Sequence, residues 1–150
     1  PVVIGRLFNT VGPRQTGQYG MVLPSFVQNA LLGKPISVYG DGSQTRSFMH
    51  VKDVLNAIVA LMDAPEAEGE IYNIGNNQEV QIKELARLVK EMTGSVSEIE
   101  QIPYEKAYGP GFEDMERRCP NIQKLKAATG FEPSYDLKAI IQSVIDYFKT

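Results

Sequence analysis

A strand–helix alternation predicts an α/β or α+β chain, and three observations carry that expectation. Apolar, β-branched runs open the chain at 2–8 and recur at 35–40, 46–51 and 70–76. Apolar residues at helical spacing fill stretches between them, most clearly Ile82, Leu85, Ala86, Val89 and Met92. Loops rich in glycine, proline and hydrogen-bonding side chains separate the two kinds of segment.

Residues 2–8 are apolar on successive positions, the pattern of a strand covered on both faces, with Gly5 and Arg6 as interruptions. The loop 9–20, "NTVGPRQTGQYG", follows, and a polar loop at the end of a buried strand is where α/β proteins usually bind ligands. A helix over 22–32 is stopped by Gly33 and Pro35, with Pro24 tolerated in its first turn. Short extended pieces at 35–40 and 46–51 flank the loop "GDGSQT". Val51, Val54, Leu55, Ile58, Leu61 and Met62 predict a helix with one apolar face that ends at the Ala64–Pro65 boundary. A strand at 70–76 precedes the helix carrying Ile82 to Met92, which Gly94 terminates and Gln81 caps weakly. An edge strand is expected at 96–102, then a turn-rich excursion over 103–120 without a clear period. Asn121 opens a short helix, and Asp136 opens a last one with Leu137, Ile140, Ile141, Val144, Ile145 and Phe148 facing inward.

The 43% apolar and 22% charged content is that of an ordinary globular chain, with no apolar stretch long enough to cross a bilayer. Fifteen basic against eighteen acidic residues, without long runs, argue against a nucleic-acid-binding surface. One cysteine, Cys119, and one histidine, His50, leave neither a disulfide framework nor a zinc set, so a reducing, cytoplasmic setting and no metal are expected. The chain begins at Pro1 directly in a strand-like run, which reads as a chain cut from something longer.

The positive chemical signal is arginine beside glycine on three loops: Arg14 after Gly12, Arg46 after Gly40 and Gly42, and the pair Arg117–Arg118. A guanidinium clamps two phosphate oxygens, and glycines allow tight turns and close approach of a ligand, so the set suits a diphosphate. Each residue also has a plainer reading. Arg46 could pair with an acid such as Asp53, and one of Arg117 and Arg118 should face solvent. Asn9 could stabilise its own turn, Tyr39 could stack on a base or cap the core edge, and Asn121 could cap a helix. No G-x-G-x-x-G follows a strand, and none of Tyr19, Tyr39, Tyr104 and Tyr108 has a lysine four residues on, so no catalytic group is assigned in this chain.

Four stretches, "GRLFNTVGPRQ" (5–15), "VYGDGSQTRSFMHVKDV" (38–54), "YNIGNN" (72–77) and "RRCPNIQKLKAATGFEP" (117–133), together resemble the C-terminal half of extended short-chain dehydrogenases acting on nucleotide sugars. The nearest members in kind are nucleotide-sugar epimerases, UDP-glucuronate decarboxylases and dTDP-glucose 4,6-dehydratases. The resemblance implies an α/β fold: a substrate-binding subdomain of helices and short strands, joined to the last strands and helices of an extended Rossmann-type parallel sheet. Residues 1–150 would be the nucleotide-sugar-binding portion, and the NAD-binding portion with its Tyr-x-x-x-Lys pair would lie outside the chain.

By the same resemblance Asn9 contacts substrate phosphate, Arg46 and Arg118 hold the diphosphate, and Tyr39 lies near the base. Arg14 joins the substrate-binding set. Asn121 stands where many members have a ribose-binding aspartate, and the amide loses the charge-assisted bond. Cys119 stands where decarboxylases tend to have lysine and receives no role. The implied full-length enzyme is a cytoplasmic homodimer that uses NAD on a UDP-sugar through a transient keto sugar. Epimerisation is the leading reaction, decarboxylation and 4,6-dehydration the alternatives. The chain alone is expected to be inactive; a non-catalytic nucleotide-sugar-binding module is the competing reading.

Overall fold

The computed structural model describes residues 1–15, 21–109, 111 and 114–150. In chain order the elements are β1 (Ile4–Leu7), β2 (Thr10–Val11), α1 (Val22–Leu31), β3 (Ile36–Tyr39), β4 (Thr45–Ser47), β5 (Met49–His50) and α2 (Val51–Met62). A 3-10 turn (Pro65–Ala67), β6 (Ile71–Ile74), β7 (Glu79–Gln81), α3 (Ile82–Thr93) and β8 (Ile99–Ile102) follow. The chain ends in α4 (Tyr104–Tyr108), β9 (Arg117–Arg118), α5 (Gln123–Thr129) and α6 (Leu137–Lys149). This is the expected mixed fold, and it divides into two compact units: residues 1–12, 47–79 and 119–140 in one, residues 13–46, 80–118 and 141–150 in the other.

In the first unit β1 runs parallel to β6, Ile4 opposite Ile71 and Leu7 opposite Ile74, and β2 runs parallel to β5. Parallel neighbours need a crossover, and α2 supplies part of it, packed against β2, β5 and α5. Met49, Val54, Leu61, Tyr72, Ile74 and Leu125 form the core. Two expectations need correction. Strand β1 is not covered on both faces: its four residues are exposed, Ile4 and Leu7 by half, and the pairing with β6 occupies an edge of the strand without covering either face. Helix α2 is apolar on two faces rather than one. Val54, Ala57 and Leu61 point inward with Asp53, whereas Leu55, Val59 and Met62 are 56%, 56% and 77% exposed. The two stripes are offset by one residue, roughly 100° of helix, which the composite spacing read as a single face concealed.

In the second unit β3 runs parallel to β8, from Ile36 opposite Ile99 to Tyr39 opposite Ile102. Helices α1 and α3 pack on each other and on β3, burying Leu23, Phe26 and Val27 on one and Leu85 and Val89 on the other. Gly94, at φ 65°, ends α3 as expected, and Gln81 makes no side-chain cap. Strand β4 pairs in parallel with β9, and β7 flanks its other side. The stretch 103–120 was expected to be irregular but contains α4 and β9. A five-residue helix is too short to show a period, and a two-residue strand is defined only by its partner.

Helix α6 starts where expected and α5 one residue past its expected cap: the Asn121 carboxamide oxygen accepts from the Gln123 N–H at 2.9 Å, and the Asp136 carboxylate from the Ala139 N–H at 2.7 Å. No helix among the described residues is long and apolar enough to cross a membrane.

Candidate functional site

The turn between β3 and β4 is built on Gly40 and Gly42, at φ 69° and 71°, a left-handed backbone that glycine adopts without penalty. Asp41 closes it, accepting from the Ser43 N–H at 2.9 Å and the Ser43 hydroxyl at 2.6 Å, and these bonds hold its carboxyl below the usual carboxylate range. The glycines were expected to let a ligand approach, but the space belongs to the protein. A Cβ on Gly40 would lie 2.5 Å from the Tyr104 ring, and one on Gly42 2.8 Å from Val38 and 2.9 Å from Lys83. Gly42→Ala is therefore expected to lower the unfolding free energy of the full-length protein by about 1–2 kcal/mol for the backbone conformation alone. The overlap with Lys83 adds to that cost, and urea titration measures the sum.

Past this turn Arg46 enters β4 with its side chain only 12% exposed. Its Nη1 donates to the carbonyls of Thr45 and Met115, each at 2.8 Å, and its Nη2 to Asp114 Oδ2 at 2.7 Å. The acid that pairs with Arg46 is thus Asp114, not Asp53. Arg118 stands opposite Arg46 in the parallel register, and Arg117 opposite Thr45. Side chains in register on neighbouring strands share a face, so Arg46 and Arg118 fall on one side of the sheet and Arg117, an adjacent strand position, on the other. Both residues of β9 are exposed. Tyr39 ends β3, 37% exposed, with its carbonyl accepting from the Gln44 amide at 3.0 Å. Arg14 lies on the turn after β2, exposed, with a left-handed backbone at φ 70°.

Asn9 and Asn121 belong to the first unit. Asn9 sits past the end of β1 at φ 35°, a conformation Asn tolerates better than most residues. Its amide donates to the Ser47 carbonyl at 2.8 Å and its own carbonyl accepts from the Met49 N–H at 3.2 Å. The side chain therefore ties two chain segments together instead of closing a local turn. The Asn121 carboxamide oxygen accepts from the first N–H of α5, that of Gln123, from one residue outside the Ile122 N-cap, and its main-chain carbonyl accepts from Asn73 at 3.1 Å. Cys119 directs its thiol at the Asn77 carbonyl, 3.6 Å away.

His50 has partners that the sequence did not reveal. It is 2% exposed, stacks on Tyr135 with ring centroids 4.0 Å apart, and caps α2 by accepting the Lys52 N–H on Nδ1 at 3.3 Å. Burial pushes its pKa below the ordinary value, outweighing the nearby Asp53 carboxylate. The native state thus takes up this proton less readily than the unfolded chain, whose imidazole titrates near 6.5. Its stability contribution is complete above that value and is lost as pH falls through the lower folded-state pKa. Stability measured in urea from about pH 7 down to about pH 5 should therefore decline, and His50→Asn, which keeps a capping acceptor, should flatten that part of the slope.

The glycine turn at 40–42 joins strand to strand rather than strand to helix, and protein side chains fill the space beside both glycines. Among the described residues no cluster of His, Cys, Asp or Glu is placed to hold a metal ion. Tyr104 uses its hydroxyl within the protein, donating to Asp114 Oδ2 at 3.1 Å and accepting from Gln44 at 2.8 Å. Tyr19 and the Tyr108 side chain lie outside what the structure describes.

The model of the NAD-dependent epimerase/dehydratase family matches residues 1–75, half of the chain. Among curated proteins, the chain is 41% identical over 150 residues to a UDP-N-acetyl-alpha-D-glucosaminuronate decarboxylase of Bacillus cytotoxicus, covering 99% of this chain and 46% of that protein. It is 38% identical over 148 residues to UDP-glucuronic acid decarboxylase 1 of Xenopus tropicalis, covering 99% of this chain and 33% of the relative. Among solved structures, the epimerase Mth375 of Methanothermobacter thermautotrophicus superimposes with a TM-score of 0.88 at 28% identity over 99% of this chain and 43% of its own. UDP-glucuronic acid 4-epimerase of Bacillus cereus, solved with UDP-glucuronic acid and NAD, gives 0.86 at 25% identity over 99% and 45%. The chain therefore spans less than half the length of each of these relatives. Matched by the family model over half its length and by these relatives over nearly all of it, the chain belongs to the NAD-dependent epimerase/dehydratase family.

Proposed function

We propose that residues 1–150 are the nucleotide-sugar-binding portion of a longer NAD-dependent enzyme, with Arg46 and Arg118 as the clamp for the substrate diphosphate. The observation that carries this reading is their register on β4 and β9. That register sets two guanidinium-bearing positions side by side on one face of the sheet, and a diphosphate offers an oxygen to each. Arg46 is held by protein carbonyls and a carboxylate before any ligand arrives, so little side-chain freedom is lost on binding.

Tyr39 and Arg14 are assigned to the same substrate set, at the base and as a further cation, and Asn9 and Asn121 to substrate phosphate and ribose. Hydride transfer is the chemistry NAD supplies when bound in such an enzyme, and its cradle belongs to residues beyond those described. Diphosphate binding would fix the sugar in position, which is how remote binding energy promotes reaction at the sugar ring.

The relatives at 36–41% identity, all UDP-uronate decarboxylases by name, favour loss of carboxylate from a UDP-uronic acid over the epimerisation that the sequence put first. Epimerisation of a UDP-sugar is the second reading, supported by the solved structures. Incubating the full-length protein and NAD with UDP-glucuronate, UDP-N-acetylglucosaminuronate and UDP-glucose separates them. Carbon dioxide release from a uronate is the expected result; a 4-epimer formed without carbon dioxide selects the second reading, and UDP binding with no turnover selects a binding module.

A further inference from the structure

We propose that Asp114 and Tyr104 are positioning residues that aim the Arg46 guanidinium, an inference that rests on the reading of Arg46 as a diphosphate ligand. A chain of hydrogen bonds links four side chains of the second unit. The Gln44 amide donates to the Tyr104 hydroxyl at 2.8 Å, which donates to Asp114 Oδ2 at 3.1 Å, the same oxygen that accepts from Arg46 at 2.7 Å. The other carboxylate oxygen accepts from the Met115 N–H at 2.8 Å, so both oxygens of Asp114 are engaged. Gly40 seats the chain, because any side chain there would occupy the place of the Tyr104 ring.

The arrangement solves a geometric problem. A guanidinium rewards bidentate contact with a phosphate only when its plane is set, and arginine carries large rotamer entropy. The carbonyls of Thr45 and Met115 hold Nη1, and the carboxylate holds Nη2, so the plane is set from two directions. Tyr104 and Asp114 act through Arg46 and need not touch substrate.

Calorimetry with UDP on the full-length protein tests this through Asp114→Asn and Tyr104→Phe, each made alone and in an Arg46→Ala background. Alone, Asp114→Asn should raise the Kd about ten-fold, the scale of one charge-assisted hydrogen bond, and Tyr104→Phe about three-fold, the scale of a neutral one. In the Arg46→Ala background neither should raise it further, which a general loss of structure would not reproduce. Tyr104→Phe keeps the ring on Gly40, so it reports even where Asp114→Asn folds poorly. Equal losses with and without Arg46 would overturn the positioning role. So would unchanged or tighter UDP binding in Asp114→Asn alongside a normal Arg46→Ala loss, which would make the carboxylate a bystander or a competitor while leaving the diphosphate site standing. Unchanged UDP affinity in Arg46→Ala itself would remove the site and this role together.

Discussion

Arg46→Ala in the full-length protein is expected to weaken UDP binding by about 2–4 kcal/mol, the range for truncating one partner of a largely desolvated charged contact. That corresponds to roughly 30- to 1,000-fold in Kd at room temperature. The size of the effect follows from where the guanidinium sits. Its side chain is 12% exposed, so the charge interacts with a phosphate through a medium less screening than water, and its orientation is fixed in advance by three protein acceptors. Arg46→Lys should recover only part of the loss, since an ammonium offers a point charge in place of a planar fork. Calorimetric titration with UDP, with uridine as the phosphate-free control, checks both. An Arg46→Ala protein that binds UDP as tightly as the parent would dispose of the clamp.

The second large effect concerns stability rather than binding. Asp53→Ala is expected to lower the unfolding free energy of the full-length protein by roughly 2–4 kcal/mol, since several donors to a buried carboxylate lose their acceptor together. Asp53 is 1% exposed near the start of α2 and receives the Ser134 N–H at 3.0 Å, the Ser134 hydroxyl at 2.6 Å and the Tyr135 N–H at 3.1 Å. One carboxylate thus fastens the segment between α5 and α6 to α2, and it holds the backbone of the tyrosine against which His50 stacks. Its place in the first turn of α2 also suits the positive end of the helix dipole. Asp53→Asn can leave its carboxamide oxygen on the two backbone N–H donors and present its N–H2 to the Ser134 hydroxyl, which can turn to accept, so it should recover more than half of the loss and forfeit mainly the carboxylate charge. Urea unfolding of both variants gives the comparison, and an Asp53→Ala protein as stable as the parent would show that water satisfies the freed donors.

What the sequence disclosed was set by the range of the interactions involved. Helix α3 was legible because its apolar period and its glycine stop are local, while Gln81 at its start makes no side-chain cap. The cap at Asp136 was legible for the same reason, whereas α5 starts one residue past the expected cap, with Asn121 bonded to its first N–H from outside. The pairing of β3 with β8 and of β4 with β9 joins segments more than sixty positions apart, and no local pattern encodes it. The partner of Arg46 shows the same limit: Asp53 was the nearby acid, whereas Asp114, 68 positions away, is the one in contact. The glycine turn was legible as a turn, whereas the side chains that fill the room where a Cβ would stand were not, because tertiary packing decides them. Helix α2 misled for a different reason, since two overlapping apolar stripes sum to a pattern that looks like one broad face.

That second stripe and the single-partnered strand β1 have a practical corollary. Leu55, Val59 and Met62 on the helix, with Val2, Ile4 and Leu7 at the start of the chain, give these 150 residues a greasy exterior and, among the described residues, an open strand edge ready to zip onto a neighbour. Such a surface invites clumping during expression, and quantitative work on the chain is best done at low protein concentration with its particle size monitored throughout.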